Sequence, residues 1–115
     1  MERLMLLGAG LLGFGGVAAA AAGAHVNGDA RLGVSVAMIC MAHAPVLLVL
    51  SGRTGLMLRL SALLLFVGAT LFSVDISMRV FDYGRLFPMA APSGGTLMLA
   101  GWLAIALSAL MPRSR

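Results

Sequence analysis

Four long apolar runs, separated by short polar clusters, organise this chain. Leu4 to Gly28 carries no formal charge, and Leu32 to Gly52 carries none over 21 residues. A third run opens at about Leu56, is uncharged from Leu60 to Val74 and ends near Val80; a fourth runs from about Gly94 to Met111. At about 1.5 Å per residue, a helix of some 20 residues just crosses a hydrocarbon layer about 30 Å thick. The pattern therefore predicts helices at about 4–26, 32–50, 56–80 and 94–111 within a single domain, 1–115. The last, at about 27 Å, has little room to tilt.

The polar clusters set the topology. Asn27-Gly28 tolerates positive φ and marks a tight reversal, so the first two helices should be antiparallel. Ser51-Gly52-Arg53-Thr54-Gly55 makes a short second connection. Phe81 to Gly95 is the longest, and its two prolines and three glycines rule out a regular helix throughout. Phe81, Tyr83 and Phe87 suit an aromatic belt at the membrane face, and Ser93 is a candidate cap for the last helix. Pro45 falls inside the second run, where it frees the carbonyl of Met41 and favours a kink. The expected fold is all-α, an integral membrane four-helix up-down bundle. The first run also fits a secretory signal peptide, but its apolar stretch through Ala24 is long enough to span, so a retained helix is expected.

Small residues recur at helical spacing. Gly15, Ala19 and Gly23 form one ridge, and Gly16, Ala20 and Ala24 the adjacent one. In lipid, such ridges let a second backbone approach closely. Contact within the chain is the favoured reading over a dimer seam. Gly94, Gly95 and Gly101 are expected to do the same in the last helix, and Trp102 is expected to anchor it at the interface.

Composition agrees. Of 115 residues, 61% are hydrophobic and 10% charged, where soluble domains carry about a quarter charged. Mean hydropathy is +1.04. All eight basic residues are Arg, placed singly at the ends of apolar runs, as anchors and topology signals are. Without a basic cluster interleaved with aromatics, no nucleic-acid partner is expected. Arg3, Arg53, Arg59, Arg113 and Arg115 fall on one side of the membrane and Arg31, Arg79 and Arg85 on the other, which favours cytoplasmic termini. A single cysteine, Cys40, excludes an intrachain disulfide.

Four polar residues are the functional candidates: His25, His43, Asp75 and Arg79. His43 sits near the middle of a span, where an ionisable group is costly. The favoured reading is a neutral imidazole bonded to a hydroxyl or backbone carbonyl of a neighbouring helix; the alternative is a proton or ligand contact. Asp75, Arg79 and Asp82 follow i, i+4, i+7 spacing, which suits an ion-paired anchor near the membrane face, or else a substrate or partner contact. Met38, Cys40, Met41 and His43 are soft ligands fit for copper(I). On one helix, however, Cys40 and His43 lie about 60° apart, with Met38 and Met41 on nearly the opposite face. His25 and His43 differ in depth, His25 lying at a membrane face and His43 about 15 Å in from Gly33, so they suit no common haem. No metal or other cofactor is expected. No catalytic pattern supports an enzyme: there is no Ser/His/Asp arrangement, no carboxylate pair in a cleft and no phosphate loop.

Gly23-Ala24-His25 and Met41-Ala42-His43-Ala44, then Leu71-Phe72-Ser73, Pro92-Ser93-Gly94-Gly95 and Ala100-Gly101-Trp102, resemble in order and spacing a small bacterial membrane family, domain of unknown function 423, with transmembrane protein 256 as its animal relative. The resemblance implies a four-helix membrane protein and carries no established activity. The chain departs from it in its short loop after His25, in Pro45, and in Asp75 where a small or hydroxyl residue is usual. Together these readings lead to a small protein of the bacterial inner membrane. It is expected to act as an accessory or assembly subunit beside other membrane proteins, or as a homo-oligomer, with lipids as its other partners. The alternative is a small transporter or channel using His43 and the Asp75/Arg79 region.

Overall fold

A computed structural model describes residues 1–25 and 30–112. The Asn27-Gly28 reversal, Asp29, Arg113 and Arg115 lie outside the described residues. Four helices follow in order: α1 (Glu2–Gly23), α2 (Ala30–Ser51), α3 (Leu56–Val80) and α4 (Ala90–Ser108). All four are long and apolar enough to cross a membrane. Their Ala-, Leu- and Met-rich sequences favour helix, and in lipid a helix is the only single segment that satisfies its own backbone polar groups. α2 continues through Pro45 without a break.

The ends differ from expectation where turn chemistry intervenes. α1 stops at Gly23 rather than near residue 26, and α2 opens two residues early at Ala30. α4 begins at Ala90, four residues before Gly94, and ends at Ser108, short of Met111. Pro92 does not prevent this, because its missing N–H falls in the first turn, where the N–H groups have no helical partner anyway. Met89, at φ +66°, turns the chain into the helix. Ser93 therefore sits inside α4 and does not cap it: its hydroxyl donates back to the Met89 carbonyl at 2.7 Å.

Successive helices run antiparallel, and the bundle is open. α1 packs along α2, α3 along α4, and α2 joins the two pairs. α1 touches α3 only slightly, and the backbone of α4 comes close to α3 alone. The assembly measures 54 × 26 × 19 Å. Large apolar side chains such as Phe14, Leu99 and Leu103 point outward, as lipid permits. The interior is built from Met5, Leu47 and Leu65 among small residues, and it also holds His43, Ser61, Ser73 and Asp75.

Candidate functional site

Glycine sets how closely the helices meet. A Cβ on Gly68 would lie 2.7 Å from the Gly94 carbonyl oxygen, and one on Gly94 would lie 2.7 Å from the Gly68 oxygen and the Phe72 nitrogen. These are backbone atoms that cannot rotate away. Gly101 lies against Leu65. In α1 the close contacts fall at Gly8, under the Phe66 ring, and at Gly16, under Cys40 and Met41. Gly15, Gly23 and Gly95 face open space, so those three do not set a close approach by their own missing side chains. The reason is phase: the buried stripe of α1 runs Met5, Gly8, Ala9, Leu12, Gly16, one step from the Gly15–Ala19–Gly23 ridge. Gly16 belongs to the adjacent ridge read from spacing, whereas Gly8 and Gly68 are packing glycines that spacing alone did not single out.

The middle of the bundle holds a polar bridge. His43 Nδ1 lies 2.7 Å from the Ile39 carbonyl, and Trp102 Nε1–H donates to His43 Nε2 at 3.2 Å. A carbonyl only accepts and an indole N–H only donates, so the arrangement requires a neutral imidazole with its proton on Nδ1. The rings meet edge to face, centroids 5.9 Å apart at 64°. This bridge links α2 to α4, whose backbones stand apart. The imidazole thus bonds a carbonyl of its own helix and an indole, rather than a carbonyl or hydroxyl of the next helix. Trp102 lies well inside α4, six residues before its end, and its N–H is satisfied by His43 instead of by the headgroup layer expected of an anchor. One turn from His43, the Cys40 thiol meets the Ser73 hydroxyl at 3.2 Å, tying α2 to α3.

A second polar contact closes the far end of α3. Asp82 takes φ +65°, Asp82 N–H bonds the Arg79 carbonyl and Tyr83 N–H the Met78 carbonyl at 2.8 Å. That is the left-handed helix stop usually made by glycine, here with Asp. The loop then returns, and Leu86 N–H donates to Asp75 Oδ1 at 2.8 Å. Asp75 is 1% exposed. The expected Asp75–Arg79 ion pair does not form among the described residues; the carboxylate turns inward to the loop, while Arg79 sits in the last turn, where the helix dipole favours a cation.

Between α1 and α3 lies a lateral groove of about 560 Å³. Leu11, Leu12, Gly15, Ala18, Ala19 and Ala22 form its α1 wall, and Thr70, Ser73 and Ser77 belong to its α3 wall. Phe81 and Tyr83 reach it from the loop. Among the described residues, Thr70 Oγ1 is the one buried side-chain polar atom without a hydrogen-bond partner. Neither His43 nor Asp75 lines the groove.

The remaining candidates stay apart. His25 is exposed past the end of α1, far in sequence and depth from the buried His43. Met38 and Met41 are exposed while Cys40 and His43 are buried, so the four soft ligands do not converge. No group of three or more His, Cys, Asp or Glu suited to a metal occurs among the described residues.

Several of the segments that carry the family resemblance meet in the fold: His43 bonds Trp102, and Phe72 lies against Gly94. No curated protein and no solved structure matches the chain. Residues 19–95, two thirds of the sequence, match the family described as "Protein of unknown function (DUF423)". This small membrane protein, with four apolar helices and an open lateral groove, belongs to the DUF423 family.

Proposed function

We propose that the protein works by lateral association in the bilayer, as an accessory or assembly subunit of a larger membrane complex or as a homo-oligomer, in the bacterial inner membrane with both termini cytoplasmic. The carrying observation is the groove between α1 and α3, whose α1 wall is mostly small: Gly15, Ala18, Ala19 and Ala22 line it beside Leu11 and Leu12. Lipid offers no hydrophobic drive for helix association, so contact depends on close van der Waals approach, which small side chains permit. The occupant that fits is one apolar transmembrane helix. The transport reading would use His43 and the Asp75/Arg79 region. Both His43 and Asp75 are engaged by internal hydrogen bonds outside the groove, which weighs for association.

The test is native mass spectrometry of protein released from the membrane in mild detergent. Wild type is expected as an assembly, with the mass separating a second copy from another subunit. The groove-filled variant Ala18→Phe with Ala22→Phe is expected as a monomer of unchanged helicity. A wild-type protein that is strictly monomeric and without partners overturns the reading.

A further inference from the structure

At the opposite end of the bundle, a second cavity of about 230 Å³ sits where the start of α1, the end of α2 and the start of α3 converge. Its apolar lining comes from Met5, Leu50 and Ala62, all buried, together with the exposed Met1. Its charged lining is Arg53, Arg59 and Glu2, all exposed. Arg53 lies in the short connection between α2 and α3, and Arg59 in the first turn of α3. Among the described residues neither arginine forms an ion pair, with Glu2 or with any other carboxylate.

We infer that this cavity is a binding site for a phosphate oxyanion, and that the phosphate is the headgroup of an anionic phospholipid. Two guanidinium groups at one cavity present planar forks that match phosphate oxygens in pairs, which ammonium groups do not. α3 starts beside it at Gly55, with no side-chain cap, so the partial positive charge of that helix end is not offset by a capping side chain. The position fits a lipid better than a free ion. Buried apolar residues and exposed arginines share this one cavity at the ends of spanning helices, the combination that a headgroup joined to acyl chains requires. Basic pockets between spanning helices at that level suit lipid phosphates. The inference is independent of the association reading, because the groove lies at the other end of α1.

Binding is measured on the full-length protein in mild detergent by native mass spectrometry and by thermal melting. The probes are dioleoyl phosphatidylglycerol, dioleoyl phosphatidylcholine and inorganic phosphate. Phosphatidylglycerol is expected to bind the wild type at least tenfold tighter than phosphatidylcholine. Arg53→Gln with Arg59→Gln should lower that affinity by about tenfold or more. The lipid-free melting temperature of this variant should be unchanged, since both side chains are exposed. Arg53→Lys with Arg59→Lys should fall between the two, and Glu2→Gln should tighten binding by removing a negative charge that repels the phosphate. A charge-matched control, Arg79→Gln with Arg85→Gln, should bind like the wild type. If inorganic phosphate raises the melting temperature of wild type but not of the Arg53/Arg59 glutamine variant, while the two lipids bind alike, the oxyanion site stands and its source is free phosphate. If the Arg53/Arg59 glutamine variant binds every probe as wild type does, or the control loses as much, the site does not exist.

Discussion

The two helix pairs use glycine in different ways. Between α3 and α4, glycine faces backbone: Gly68 and Gly94 each leave room for the other's carbonyl oxygen. Between α1 and its neighbours, glycine faces side chains: the Phe66 ring over Gly8, and Met41, which can move, with the Cys40 Cβ over Gly16. On the groove side, Gly15 faces nothing. The same residue type thus marks a rigid seam, an adjustable contact and an unfilled surface. Only the opposing atoms tell them apart, and in lipid those atoms decide how much packing attraction a helix pair gains.

The contrast breaks most readily at the seam. Gly94→Ala places a methyl on two backbone atoms and should cost about 3 kcal/mol, read by equilibrium unfolding in mixed micelles. Gly16→Ala meets the flexible Met41 and the Cys40 Cβ but no backbone atom, and should cost about 1–2 kcal/mol; equal losses at both positions would erase the distinction. Next comes the loop clasp on α3. Asp75→Ala leaves the Leu86 N–H without its acceptor and should cost roughly 1–3 kcal/mol, with faster amide exchange at Leu86, whereas Arg79→Gln should leave that exchange rate unchanged. Trp102→Phe removes the donor to His43 and should cost about 0.6 kcal/mol, the usual scale for one hydrogen bond between membrane helices. Smallest, and opposite in sign, Gly15→Ala meets open space and should stabilise by up to about 1 kcal/mol through helix propensity alone.

Particular residues show how far sequence reading reaches. The start of α4 was missed because Pro88 and Pro92 read as breakers, yet a proline in a first turn forfeits no hydrogen bond. Asp75 and Arg79 have favourable spacing for an ion pair, and the spacing carried no hint that Leu86 N–H would return to the carboxylate. His43 was visible as a buried polar group; its acceptor role toward Trp102, 59 residues away, was not.

What the chain determines by itself is the number of spans and the solvent they are made for. About 20 apolar residues without charge and a self-satisfied helical backbone are local properties, readable in any window. What only the tertiary structure decided is rotational phase: which face of each helix turns inward, which glycine meets a backbone, and which polar groups find one another. A water-soluble helix announces its inner face by one apolar stripe, but these helices are apolar all round and lipid accepts any face. Their phase is set by fit against neighbours, which exists only once all four helices are in place.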